Sequence, residues 1–266
     1  MTSRPAGRPA ACPTHVAVTG ASGGLGAAFA RHYAAPGVRL LLIARDARRL
    51  DAIAADCAAR GADVATLSCD VRNARSLQAA LLAHDAAHPV DLVVANAGME
   101  ASVGPDGAPE PLDTVLAQIE TNLSGALASV VPLLPAMQAR RRGAVILVSS
   151  LAALEPLADQ PAYCASKAGL LAWGEAARPW LRRFGIQVTV ACPGFIATGM
   201  SSHYEGWRPL EWSAEKAARH IAEAAARGRG RVDFPWPLVA LIGLGKLAPR
   251  PLREAVRDLL FRLSVH

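Results

Sequence analysis

Tyr163 and Lys167 stand four residues apart, and Ser150 lies thirteen residues before the tyrosine. If 162–183 is helical, positions i and i+4 share a face, so the phenol and the ammonium can interact. A lysine ammonium beside a phenol favours the phenolate and lowers a tyrosine pKa from its usual value of about 10. Tyr163 then becomes an acid/base usable near neutral pH. A carbonyl oxygen that turns alkoxide-like needs a proton donor and a polariser together, and a tyrosine and a serine are one of each. The same spacing also occurs on ordinary helices, so the rest of the chain has to supply a reaction partner.

Stepping along the chain, short apolar runs alternate with amphipathic stretches. Strands are expected at 15–19, 38–44, 64–69, 91–95, 143–150 and 186–192, and helices at about 24–35, 46–60, 73–87 and 162–183. The Gly- and Pro-rich stretch 99–111 reads as a surface loop. A helical pattern runs from Leu112 to Arg140, with Pro132 and Pro135 predicting a kink or an early end near Val131. Near-continuous apolar strands alternating with helices indicate an α/β fold, with a parallel sheet covered on both faces. The expected organisation is a mobile tail at 1–14 and one doubly wound domain at 15–266.

The turn between the first strand and the first helix is TGASGGLG, Thr19 to Gly26. In that context Gly20 allows the tight turn, Gly24 lets the backbone approach a pyrophosphate, and Gly26 permits close helix–strand packing. The helix N-terminus then presents free N–H groups and a positive dipole to the phosphates of a dinucleotide. The second strand ends in Ala44-Arg45, where no carboxylate is available to bind a ribose 2′-hydroxyl. Arg45 pairs with a 2′-phosphate or is a solvated surface arginine, and Asp46 follows it; the expected cofactor is NADP(H), with NAD(H) the alternative. Asp70 accepts from an adenine amino group or is an Asx cap of the helix that follows.

The chain has 266 residues, 52% hydrophobic and 19% charged, with a net charge of +6 carried mostly by arginine. That balance suits an anionic partner or merely solvated helix faces. No basic block carries interleaved aromatics, so no nucleic-acid interface is expected. Cys12, Cys57, Cys69, Cys164 and Cys192 are scattered without metal-ligand spacing, and no metal is expected. With no apolar run near the ~20 residues of a membrane span and no secretory pattern, a cytoplasmic protein is expected.

Together these residues resemble the short-chain dehydrogenase/reductase family, of the single-domain type with a Tyr-x-x-x-Lys centre. The resemblance covers about 15–200. It rests on TGASGGLG, Asp70-Val71, ANAG at 95–98, Asn122, Ser150 with Tyr163 and Lys167, and Pro193-Gly194 followed by Thr198. It implies a Rossmann-like sheet of about seven parallel strands. It makes Tyr163 the acid/base and Lys167 the residue that lowers its pKa and binds the nicotinamide ribose. Ser150 polarises the carbonyl, and Asn122 holds helix geometry and a proton-relay water. Ser150, not Ser149, has the family spacing to Tyr163. Gly20, Ser22, Gly24, Leu25, Gly26, Arg45, Asp70, Val71, Asn96, Ala97 and Gly98 would line the cofactor's adenosine and phosphate side. Pro193, Gly194, Ile196 and Thr198 would embrace the nicotinamide. Many NADP-using relatives carry a basic residue where Gly23 stands, and its absence leaves Arg45 as the main 2′-phosphate partner.

The implied activity is interconversion of a carbonyl and a secondary alcohol by direct hydride transfer, on an apolar or ring-bearing small molecule. The alternatives are a non-catalytic cofactor-binding interaction protein, or an epimerase- or dehydratase-like enzyme of a lipid or polysaccharide precursor. A substrate lid is expected at about 197–225; His203, Tyr204, Trp207 and Trp212 either face the substrate or pack the lid on its own domain. Met99, Glu100 and Leu151 to Pro156 are expected as further walls. The family implies a homodimer or homotetramer, although Pro132 and Pro135 fall on a usual dimer helix. The extension at about 234–266 opens with an apolar segment, FPWPLVALIGLGKL, and continues with arginines 250, 253, 257 and 262. It packs as a C-terminal helix or touches a membrane surface.

Overall fold

The structure, a computed structural model, describes residues 13–104, 107–199, 208–249, 251 and 254–255. The first half alternates strand and helix: β1 (His15–Thr19), α1 (Gly24–Tyr33), β2 (Arg39–Ala44), α2 (Ala47–Ala59), β3 (Asp63–Ser68), α3 (Ala74–Ala87) and β4 (Leu92–Ala95). The Leu112–Arg140 pattern becomes α4 (Leu112–Ile119), a π-helical turn (Glu120–Gly125), α5 (Ala126–Val130), a 3-10 turn (Val131–Leu133) and α6 (Leu134–Arg140). The break at Val131 falls where Pro132 withdraws a backbone donor; the π turn had no sequence signal. Then come β5 (Gly143–Val148), a 3-10 turn (Leu151–Ala153), α7 (Pro161–Arg182), β6 (Ile186–Pro193), β7 (Ile196–Ala197), β8 (Trp212–Ser213), α8 (Ala214–Ala226), β9 (Arg231–Phe234) and α9 (Trp236–Gly245).

Seven strands form one sheet in the order β3-β2-β1-β4-β5-β6-β9, and every neighbouring pair is parallel. The chain winds outward from β1 to β3, then crosses back to β4 beside β1. That reversal opens a crevice at the carboxyl ends of β1 and β4. Side chains alternate between the two faces. Val16, Val18, Leu40 and Leu42 pack with α1, α2 and α8, whereas Ala17, Leu41 and Ile43 pack with α3, α5, α6 and α7. Burial on both faces explains the continuous apolar strands; the two edge strands, β3 with sequence DVATLS and β9 with RVDF, carry the polar residues.

The seventh strand, β9, corrects one expected boundary. Phe234 is not the start of an extension: it completes the sheet, opposite Pro193 of β6. The lid boundary also changes, because 214–225 belongs to α8, whose Ala217, Ala218, Ile221 and Ala224 are buried in the layer that contains Phe29 of α1. Small alanines let α8 approach α1 closely, and its apolar face is buried there. Trp212 packs on its own domain, its ring 4.7 Å from Phe234 and 5.4 Å from His220, with Lys216 Nζ 3.9 Å above it. His203, Tyr204 and Trp207 lie outside the described residues, as do Cys12 and most of the 1–14 segment.

Candidate active site

Ser149 and Ser150 leave β5 with opposite duties. Ser149 is buried and donates its hydroxyl to the Lys167 carbonyl at 2.8 Å, which ties β5 to α7. Ser150 caps the 3-10 turn by accepting from the Ala152 amide at 3.1 Å, and its hydroxyl stands close enough to the Tyr163 phenol to influence its titration. The spacing argument therefore selects the serine that the fold places beside the tyrosine. Lys167, one turn along α7, is buried and donates from Nζ to the Val148 carbonyl at 2.9 Å. Its Nζ lies 5.7 Å from the centroid of the Tyr163 ring.

The electrostatics depart from the sequence expectation. Burial pushes the Tyr163 phenol above its ordinary value; the neighbouring Ser150 hydroxyl opposes that shift, and the Glu100 carboxylate adds to it. Burial pulls the Lys167 ammonium down to about 8, with Glu100 and Cys192 acting in the opposite sense. Enclosure favours the neutral form of both groups, and Lys167 spends its bond on a backbone carbonyl rather than on the phenol. The lysine-driven lowering of Tyr163 expected from the spacing is thus not what the protein's own residues produce.

Asn122 sits on the π turn, fully buried. Its Oδ1 accepts from the Met99 amide and its Nδ2 donates to the Met99 carbonyl, both at 2.8 Å, with a further bond to Ser166 Oγ at 3.0 Å. Ser166 Oγ in turn donates to the Tyr163 carbonyl at 2.7 Å. Asn122 therefore clamps the segment following β4 against α7, and the inserted π residue aims it there. Two more residues do related work that sequence reading missed. Buried Gln118 accepts from the Ala101 amide at 3.0 Å and donates to Glu110 at 2.7 Å; Glu110 accepts from the Ala162 amide at 3.3 Å. Together they latch the 99–111 loop to the start of α7. An isolated polar residue on an otherwise apolar helix face was the only signal for Gln118.

The glycine turn fits a dinucleotide. Gly20 and Gly24 have φ of +69° and +52°, a region that favours glycine. A Cβ on Gly26 would fall 2.1 Å from the Gly20 carbonyl oxygen, so α1 can meet the turn only through hydrogen. The N-terminus of α1 has no side-chain cap, which leaves its first-turn amides for an anion. Thr19 Oγ1 accepts from the Asn96 and Ala97 amides at 3.1 and 3.2 Å, and Asn96 Nδ2 donates to the Thr19 carbonyl at 3.1 Å. The ANAG segment is thereby fixed across the crevice from the turn.

Of the other expected cofactor residues, Gly98 and the meeting of Gly24 with Thr198 border the same crevice. A Cβ on Gly98 would lie 3.2 Å from Asn122 Oδ1 and 3.5 Å from Lys167 Nζ, so the absence of a side chain keeps the lysine approachable. A Cβ on Gly24 would lie 3.1 Å from Thr198 Cγ2, which brings the segment after β6 against the glycine turn. Gly194 donates its amide to Phe234 at 2.7 Å; Pro193 and Ile196 are buried. Leu25 is buried in α1, Ser22 is half-buried in the turn, and Val71 packs at Gly125. Asp70 is not the cap of α3, which is Asn73, accepting from the Ser76 amide at 3.3 Å; Asp70 Oδ1 accepts from the Arg72 amide at 2.9 Å in a local turn, and the carboxylate pairs with the Arg72 guanidinium at 2.7 Å. Arg45 is exposed at the end of β2, and Asp46 is the cap of α2. Cys164 is buried against Leu157, as a structural residue would be. Among the described residues no group of His, Cys, Asp or Glu has metal-ligand geometry.

Residues 14–209 match the model of the family described as short chain dehydrogenase. An uncharacterized oxidoreductase of Myxococcus xanthus is 36% identical over 90% of this chain and 94% of its own. A granaticin polyketide synthase putative ketoacyl reductase of Streptomyces violaceoruber is 35% identical over 73% of this chain and 74% of its own. The crystal structure of a metagenomic short-chain oxidoreductase in complex with NADP superposes with a TM-score of 0.70 at 31% identity, covering 83% of this chain and 95% of that one.

Proposed function

Because the chain belongs to the short-chain dehydrogenase family and is an NAD(P)-dependent oxidoreductase, we propose that it interconverts a carbonyl and a secondary alcohol with NADP(H). The observation that carries this reading is the convergence of Ser150, Tyr163 and Lys167 on the crevice bounded by Gly98 and Gly194. The bound cofactor supplies a hydride to the substrate carbon or takes one from it. The α1 amides and Gly24 would hold its phosphates, Arg45 a 2′-phosphate, Asn96 to Gly98 its adenosine side and Lys167 its nicotinamide ribose. Pro193 to Thr198 would hold its carboxamide. The ketoacyl reductase relative and the NADP-bound structural relative support the carbonyl chemistry and the choice of cofactor.

In reduction, Tyr163 gives its phenolic proton to the carbonyl oxygen as that oxygen gains charge; in oxidation it takes the proton back. A pKa held up by burial keeps Tyr163 protonated across the neutral range, which suits the donor role. Ser150 Oγ polarises the same oxygen while steering the phenol toward it. Lys167 is held by the Val148 carbonyl at the base of the site, where its charge supports the phenolate after proton transfer. Asn122 and Ser166 are positioning residues for the loop and helix that carry these groups. Apolar walls at Leu151 and Leu154 favour an apolar or ring-bearing substrate. The half-exposed Leu112 and Leu116 of α4, at 69% and 48%, offer the face that a second copy would cover.

Tyr163→Phe tests the mechanism: turnover should fall by at least about a thousandfold while NADPH affinity stays within about threefold. Undiminished rates of the variant on a ketone panel would sink the assignment.

A further inference from the structure

We propose that α9 rests on an anionic bilayer surface and that the carbonyl substrate enters the adjoining site from that bilayer, an inference that rests on the oxidoreductase reading above. The segment 234–245 contains no charged residue. A helix apolar on all sides is ordinarily buried all round. Here Leu238, Val239 and Ile242 pack against the layer containing Leu151 and Leu170, while the opposite side faces outward. Trp236, Leu241, Leu244 and, just beyond the helix, Leu247 are 77, 65, 66 and 82% exposed. The sequence then turns basic: Lys246, Arg250, Arg253, Arg257 and Arg262 outnumber Glu254 and Asp258. An exposed apolar helix followed by a cationic stretch complements lipid in both respects, acyl chain and anionic headgroup. The α9 helix, ten residues long, covers about 15 Å at 1.5 Å per residue, half a hydrocarbon core, so it lies along the interface. No described helix is long and apolar enough to cross a membrane.

The inner side of α9 borders the reaction site. A Cβ on Gly194 would lie 3.0 Å from Pro235 and 3.4 Å from both Leu151 and Leu238. Leu151 directly follows Ser150, so about one helix diameter separates the outward leucines from the polarising serine. The substrate class that uses this arrangement is a carbonyl compound with a long apolar chain, concentrated in the leaflet.

The test is co-sedimentation of the full chain with phosphatidylglycerol–phosphatidylcholine vesicles and with phosphatidylcholine vesicles alone. Binding to the anionic vesicles is expected, and the double substitution Leu241→Glu with Leu244→Glu should lower it by about tenfold. NADPH binding and turnover of a short, water-soluble ketone should be unchanged. Absence of binding to either vesicle, or equal binding by the double variant, overturns the proposal. So does a double variant that shifts a wild-type dimer to monomer on gel filtration without any vesicle binding, since a second copy then covers α9. Vesicle binding without NADPH affinity would instead overturn the cofactor reading and leave the surface placement standing.

A separate observation concerns cofactor choice. We infer that Arg49 takes the place of the basic residue missing at Gly23 and shares the 2′-phosphate with Arg45. A Cβ built on Gly23 would meet Arg49 Nη2 at 2.9 Å and Cζ at 3.8 Å, and nothing else within 4 Å. Asp46 caps α2 through the Arg49 amide at 3.1 Å, so the first turn of α2 sends this guanidinium back over the glycine turn. Arg49 has no ion-pair partner among the described residues. Gly23 itself has φ of 174°, extended backbone that any residue adopts, so only Arg49 keeps a side chain out. Dissociation constants for NADPH and NADH decide the matter. Arg49→Ala should weaken NADPH about tenfold and NADH less than about twofold, and Gly23→Arg added to Arg49→Ala should restore NADPH. An unchanged NADPH/NADH ratio in Arg49→Ala overturns the inference. Wild-type protein that binds neither nucleotide overturns the cofactor reading itself.

Discussion

At the scale of single residues, Glu100 adds to what burial does at Tyr163 and opposes it at Lys167, without belonging to the expected catalytic set. Its carboxylate raises both the Tyr163 phenol and the Lys167 ammonium. Glu100→Gln removes a negative charge that disfavours phenolate and favours ammonium, so both groups should titrate lower. The alkaline rise of kcat/KM for alcohol oxidation should move to lower pH, and a pH profile checks this. Lys167 carries a second consequence. A lysine whose folded pKa is about 8 rather than 10.5 binds its proton more weakly in the folded chain than in the unfolded one. Between those values stability therefore rises with pH, and below pH 8 the penalty is fully present. Lys167→Met should gain on the order of 1–3 kcal/mol at pH 7 while losing turnover, with a Tm less dependent on pH between 8 and 10.

At the scale of elements, close approach rather than turn geometry makes some glycines irreplaceable. Gly37 has φ of +80° but open space around its Cβ direction, so Gly37→Ala should cost only about 1–2 kcal/mol. Gly26 has ordinary helical backbone, yet its Cβ would strike the Gly20 carbonyl at 2.1 Å. Backbone cannot yield as a side-chain tip does, so Gly26→Ala should cost about 3 kcal/mol or more and abolish cofactor binding. Urea unfolding of the two variants, with nucleotide titration, separates these causes. The π turn works in the same way at the other edge of the crevice: one inserted residue aims Asn122 at both backbone groups of Met99.

At the scale of the whole molecule, the end of the sheet opposite the site carries its own titrating cluster. His15 of β1 is buried, its Nδ1 bonded to the Pro89 carbonyl at 3.2 Å and its Nε2 2.9 Å from His84 Nε2. The carbonyl requires hydrogen on Nδ1, so Nε2 accepts from His84 and His15 is neutral. Burial and the neighbouring His84 and Arg39 lower His15 to about 4, against partial support from Asp91 and Pro89. The unfolded chain binds this proton from about pH 6.5 downward, whereas the folded chain does not, so stability falls as pH drops from 6.5 to 4. The loss should total on the order of 2–3 kcal/mol, and His15→Gln should flatten Tm over that window. His15 also lines a depression of 410 Å³ with Arg39, Asp63 and His88, at the amino ends of the strands and remote from Tyr163.

The sequence by itself determined what depends on local pattern and fixed spacing. Apolar runs bounded by glycine and proline marked six strands, Pro132 marked the break in the long helix, and thirteen residues separated Ser150 from Tyr163. Four residues put Lys167 on the face of Tyr163, because helix geometry is local. Only the tertiary structure decided what depends on groups far apart in the chain. The π turn aims Asn122 at Met99, Glu100 acts on the charges of Tyr163 and Lys167, α8 takes up 214–225 of what had read as lid, and Arg49 reaches over Gly23. Burial raised the Tyr163 phenol instead of letting Lys167 lower it, because desolvation is a property of the enclosing fold and not of a neighbour four residues away.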